Sequence, residues 1–220
     1  MMEGNKEFKP IFGVEAYFNP SLKAWRREYE ASKEARKKVK TSAGVIEDEN
    51  ASKQTKNVLN KRNHLILLAM NQTGLSNIFK LISESFNSAN FYRYPRIDYD
   101  LLGDYSEGVI AASACLGGVY AGDYWDNRAD GPDAIMDAMR ITTERMQAIY
   151  GDRWYGELQW NNIPEQHELN KYIIQISKEY GVELISTADS HYPNPDAWRD
   201  RELYKRLGWL GKGGMPDWMT

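Results

Sequence analysis

Glu183 to Pro195 reads ELISTADSHYPNP, an apolar run that finishes on Asp189, Ser190 and His191 before a tyrosine and two prolines. Residues i and i+2 of an extended segment point to the same side. A D-x-H at the end of a strand therefore aims a carboxylate and an imidazole into one space, as a metal-ligand or acid/base pair or as a structural Asp–His hydrogen bond. Working outward, Val182–Ala188 is the last of five strand-like runs, after Ile11–Phe18, His64–Met70, Val109–Ala114 and Arg153–Trp160. The first two are apolar enough to predict burial on both faces. Helical patterns lie between the runs. Leu75, Ile78, Phe79, Ile82 and Phe86 recur at helical spacing with Thr73 as a cap, and Pro132 and Gly151 bracket a long helix. A further helix ends at Gly181, and a last one runs through DAWRDRELYKRL. Strands alternating with helices predict an α/β fold of parallel βα units, a doubly wound sheet or a barrel, with ligands at the carboxyl ends of the strands.

Composition sets the frame. The chain has 220 residues, 42% hydrophobic and 27% charged, enough for one sizeable core. No apolar run approaches the roughly 20 residues of a membrane helix, so a cytoplasmic protein with no membrane partner is expected. Cys115 is the sole cysteine, which excludes an internal disulfide and fits a reducing compartment. Residues 21–63 carry twelve Lys or Arg against six Asp or Glu, a local +6 within a chain of net charge −3. Such a segment is either a solvated helix or a contact for a phosphate backbone.

Other polar residues occupy positions where an apolar core is expected. Glu15 interrupts IFGVEAYF, where an unpaired buried carboxylate costs several kcal/mol, so it needs a partner. His64 opens HLILLAM, and Cys115 follows VIAASA just where LGG turns the chain. Each has an ordinary reading, as a solvent-facing acid, a strand starter or a small buried hydrophobe. Together Glu15, His64, Cys115, Asp189 and His191 form a donor set suited to zinc or manganese.

The stretches KPIFGVEAYF, HLILLAMNQTGLSNIFKLIS, YPRIDYDLL, SEGVIAASACLGG, YGELQWNNIPEQHELN and ISTADSHYPNPDA resemble, in order, the PHP (polymerase-and-histidinol-phosphatase) domain of bacterial replicative DNA polymerase III alpha subunits. The resemblance covers nearly the whole chain outside the charged insertion at 21–63. It implies a (β/α)7-like barrel with metal ions at the strand ends. By motif, Glu15 is similar to the bridging carboxylate, His64 and Cys115 to ligands, and Asp189 with His191 to the closing D-x-H. Cys115 is then a thiolate ligand, and His167 matches no ligand and reads as a surface residue. In active members such a cluster hydrolyses phosphoesters.

The family pattern begins with a strand bearing H-x-H and a second ending in D-H, whereas MMEGNKEF leaves only a helix tail before Lys9. The expectation is thus a partial PHP domain over 1–220, an incomplete barrel lacking the first two βα units, with an incomplete metal site. The carboxylates of nucleotidyl transfer are not expected in this chain. Its wording and its ending, WRDRELYKRLGWLGKG, read as phage-encoded, which places it in a host cytoplasm. Implied partners are DNA, other replisome or polymerase segments, and a separate N-terminal fragment supplying the missing strands. The alternatives are a structural or DNA-contacting module without hydrolysis, and a hydrolase with Cys115 as nucleophile assisted by His191 or His64. Trp25, Tyr29, Tyr92, Tyr94, Trp125, Trp198 and Trp209 are candidate stacking platforms for nucleic acid.

Overall fold

Each of the five apolar runs becomes a strand. The computed structural model describes residues 9–42 and 60–210, so the start of the chain, residues 43–59 of the charged segment and residues 211–220 lie outside the described residues. One sheet carries, in chain order, β1 (Gly13–Phe18), β2 (Asn63–Ala69), β3 (Val109–Ala112), β4 (Trp154–Gln159) and β5 (Glu183–Thr187). The strand directions correct the expectation of parallel units throughout. β2 runs antiparallel to both β1 and β3, whereas β3, β4 and β5 are mutually parallel.

The reversal of β2 follows from how the chain leaves it. Helix α2 (Gln72–Ser85) carries the chain back along the sheet, and the following loop docks on the end of β1 through Ile97 N–H to Tyr17 O and Asn19 N–H to Ile97 O, both 2.9 Å. A second traverse through α3 (Tyr99–Asp104) then returns it, and Met70 N–H donates to Gly108 O where β2 ends and β3 begins. Two traverses make the next strand antiparallel, whereas one helical crossover makes it parallel. Asp98 fixes the loop: one carboxylate oxygen caps α3 at Leu101 N–H, and the other accepts Leu22 N–H at the start of α1 (Leu22–Ser42). From β3 onward the crossovers are the expected kind, through α4 (Val119–Asn127) with α5 (Pro132–Tyr150), and through α6 (Pro164–Tyr180). Pro132, Gly151 and Gly181 punctuate these helices as their positions predict.

Helices α2, α4, α5 and α6 cover one face of the sheet. Phe18, Leu65, Leu67, Val109, Ala111, Trp154 and Leu158 pack there with Ile78 and Leu81 of α2, Met139 and Met146 of α5, and Ile173 and Ile176 of α6. Burying each large side chain of this set contributes about 1.5–3 kcal/mol. In β2 only Leu65 and Leu67 are buried while His64, Ile66 and Leu68 are half-buried, so burial on both faces does not hold. Alternation decides it: the second set faces the side that carries Glu15 and Tyr17.

Helix α2 corrects two further details. Its N-cap is Asn71, whose side chain accepts Gly74 N–H, and Thr73 lies within the first turn. Its buried stripe is Gly74, Asn77, Ile78, Leu81 and Ser85, which leaves Phe79 and Phe86 exposed. The helix is rotated because Gly74 lies tight against Gly108, where a Cβ would meet the Gly108 carbonyl oxygen at 1.8 Å. Among the described residues no helix is long and apolar enough to cross a membrane. The chain divides into two units after Thr187. The second unit contains Asp189, His191 and helix α7 (Trp198–Leu210), which a 3-10 turn at Pro195–Ala197 precedes.

Candidate metal centre

Because β2 is reversed, its first residues share a rim with the carboxyl ends of β1, β3, β4 and β5. His64, at the start of its strand, therefore lies where the ends of the parallel strands lie. In the β1–β2 register Glu15 faces Ile66 and Tyr17 faces His64, which makes Glu15 and His64 diagonal neighbours on one face. Their side chains meet, with the Glu15 carboxylate against His64 Nδ1. Cys115 comes from the turn after β3. Ser113 N–H extends the ladder to Tyr155 O, Ala114 takes a left-handed φ of 61°, and Gly118 N–H closes on Cys115 O at 2.7 Å. His64 N–H donates to Gly117 O, which docks the turn onto the start of β2. A Cβ on Gly118 would fall 2.0 Å from the Ser113 carbonyl oxygen, so the turn closes only around glycine.

Cys115 Sγ lies 3.4 Å from His64 Nδ1 and receives Gly117 N–H at 3.4 Å. Donor atoms of Glu15, His64 and Cys115 all lie within 4.8 Å of one another. Ligand bonds of about 2.0–2.3 Å in a tetrahedral arrangement place two donors roughly 3.4–3.8 Å apart, a spacing that Cys115 Sγ and His64 Nδ1 meet, while the Glu15 carboxylate is in direct hydrogen-bond contact with that nitrogen and would have to part from it for all three to share one ion. Both sulfur and carboxylate converge on the same ring nitrogen. A nucleophile–base–orienter relay instead needs them on the two different nitrogens of the imidazole.

Asp189 and His191 belong to the second unit. β5 ends at Thr187, and Asp189 has a left-handed φ of 48°, so the D-x-H is a turn rather than the extended strand end expected. His191 Nδ1 folds back to Asp189 O at 2.7 Å and lies 3.9 Å from Asp189 Oδ1. His167 is exposed on α6, as expected. Of the aromatic candidates, Trp25 is buried at 3% exposure beneath the Arg96 guanidinium and offers no platform, whereas Tyr94, Trp125 and Trp198 are exposed.

Sequence reasoning missed Arg62 and Tyr17. The Tyr17 ring stands 5.5 Å from the His64 ring, and the Arg62 guanidinium lies 4.7 Å over Tyr17. The signal was strand alternation, since Tyr17 is two residues from Glu15 and Arg62 two from His64.

A profile of the PHP domain family matches residues 2–161. The chain belongs to the PHP domain family. Curated DNA polymerase III alpha subunits are similar to this PHP domain along most of its length. The Aquifex aeolicus protein is 40% identical over 191 residues, covering 86% of this chain and 14% of its own length. That of Borreliella burgdorferi is 34% identical over 200 residues, 91% of this chain and 14% of its own. The Thermus aquaticus protein is 33% identical over 144 residues, 64% of this chain and 11% of its own. The PHP domain thus spans about one seventh of the length of the relatives it matches, and it is homologous to the PHP region of the alpha subunit.

Proposed function

We propose that this PHP domain serves a replicative DNA polymerase III alpha subunit and that Glu15, His64 and Cys115 hold a divalent ion, zinc or manganese, for phosphoester hydrolysis. The observation that carries the reading is the convergence of a carboxylate, an imidazole and a thiol within 4.8 Å on one rim of the sheet. When bound, such an ion lowers the pKa of a water and draws phosphate oxygens. Cys115 acts as a thiolate ligand, with Gly117 N–H on its sulfur stabilising the negative charge. Glu15 orients His64 and balances the charge of the ion. The motif resemblance assigns a ligand role to Asp189 and His191 as well.

Under this reading the sheet is part of a (β/α)7-like barrel, with the net basic segment 21–63 as an insertion in it. Its partners are DNA, other polymerase or replisome segments, and a separate polypeptide carrying the family's first His pair. In support of the last, β1 is an edge strand of the described sheet, the place where a further strand adds. The compartment is a cytoplasm, and in the phage-encoded case that of the host. Elemental analysis of the purified chain tests the metal reading. Stoichiometric zinc or manganese is expected in the wild type and none in a Glu15→Ala, His64→Ala double variant. Release of nucleotide from a DNA 3′ end should then require the ion, and metal-free wild-type protein would leave a scaffold as the function.

A further inference from the structure

Arg62 lies immediately before β2, two residues from His64. Its guanidinium sits in the corner of two rings, 3.7 Å from the centroid of Tyr94 and 4.7 Å from that of Tyr17. The two rings meet edge to face at 5.4 Å. One Nη donates to the carbonyl of Asn60, a local contact, and the buried Nε donates to nothing. Among the described residues no carboxylate forms an ion pair with Arg62.

Its charged neighbour has the same sign. Arg96 is fully buried, lies 4.7 Å over Trp25, and donates to the carbonyls of Tyr92 and Tyr94. Burial, and then the field of Arg62, lower the pKa of Arg96 to about 10. Two guanidiniums therefore repel across a small aromatic cluster. Cation–π contacts hold Arg62 in place without neutralising it. With Nε buried and one Nη on the Asn60 carbonyl, the other Nη is the N–H donor left for an oxygen of a phosphate. Tyr17 joins this receptor to the donor cluster, since its ring contacts both Arg62 and His64.

We propose that Arg62, held in the corner of Tyr17 and Tyr94, binds a phosphate group beside the Glu15–His64–Cys115 cluster. The phosphate is that of a nucleic-acid terminus or of the free anion. That it is the phosphate of a substrate rests on the phosphoesterase reading above; the binding itself does not.

The test is calorimetric titration of the full chain, wild type and Arg62→Gln, in EDTA and in manganese. The probes are inorganic phosphate and a short oligothymidylate with and without a terminal phosphate. Saturable phosphate binding is expected in the wild type and a loss of about tenfold or more in Arg62→Gln, at unchanged melting temperature and metal content. Arg62→Lys, which keeps the charge and loses the planar group held by the two rings, should fall between them. Tighter binding of the phosphorylated oligonucleotide than of inorganic phosphate identifies a nucleic-acid end; equal affinity identifies the free anion. Should Arg62→Gln lose its fold, Tyr94→Leu at an exposed ring takes its place, with about a threefold loss expected from removing one of the two rings. The proposal is overturned if the wild type binds no phosphate, or if the folded variants bind it as tightly as the wild type. Protein that takes up no manganese yet binds phosphate through Arg62 would overturn the metal reading and leave this inference standing.

Discussion

Glu15 and Glu157 face the same side of one sheet, and their surroundings separate a site from a strut. Glu157, on β4, is only 5% exposed, and its carboxylate accepts the Gln159 amide and the Thr187 hydroxyl. Its own N–H donates to the Ser113 hydroxyl oxygen, so it ties β3, β4 and β5 together. Glu15, on β1, is 45% exposed along its side chain and meets the imidazole of His64 beside the Cys115 thiol. The first acid is enclosed by donors of fixed geometry. The second stands with two further metal-capable groups in reach of solvent. Burial with complete pairing marks structure, whereas convergence with access marks chemistry.

The comparison breaks most readily at Glu157. Glu157→Ala leaves the Thr187 hydroxyl without its acceptor and the Gln159 amide with only the Thr187 oxygen, and denaturant unfolding should show a loss of about 2–4 kcal/mol with little change in metal content. At Glu15 the opposite pattern is expected. Manganese or zinc at roughly a hundred times its Kd should stabilise the wild type by about 2.7 kcal/mol in thermal melts, and Glu15→Ala should erase that gain while leaving the apo melting temperature nearly unchanged.

Asp123 of α4 sharpens the contrast as a half-buried acid that is only partly paired. Thr142 hydrogen-bonds its side chain, Oδ2 has no partner, and burial pushes its pKa up to about 7. A folded pKa above the unfolded value means stability is full below about pH 4 and is lost as pH rises through the folded pKa. Asp123→Asn should therefore raise stability by about 1–2 kcal/mol near pH 8 and by nothing near pH 4, read from melts at the two values. The smallest effect is expected at His167, exposed on α6. His167→Ala should stay within about 0.5 kcal/mol of wild type and retain full metal content.

These differences were unevenly legible in the sequence. The strands were readable because each apolar run is closed by a turn residue or an acid, and the donors Glu15, His64 and Cys115 because each is out of place in its run. The direction of β2 was not, because an apolar run reads alike either way and its sense depends on Ile97 docking on β1. The rotation of α2 depends on the approach of Gly74 to Gly108, thirty-odd residues apart in the chain. Arg62 escaped notice because one wall of its corner, Tyr94, comes from the distant loop. For Asp189 the left-handed backbone replaced the extended geometry that its motif suggests.

The turn that carries Cys115 has a kinetic consequence. Glu15 and His64 stand on strands whose alternate residues, Ala16 and Leu65, belong to the core or pack against it, so separating them requires opening the most protected part of the molecule. The 113–118 turn is held instead by scattered hydrogen bonds, among them His64 N–H to Gly117 O, Gly118 N–H to Cys115 O and Trp125 Nε1–H to Leu116 O. Sub-global opening there would swing the sulfur away while the other two donors stay in place. Hydrogen exchange should accordingly find the Gly117 and Gly118 amides opening well before those of Leu65 and Leu67, with ion exchange at the rim following the faster clock.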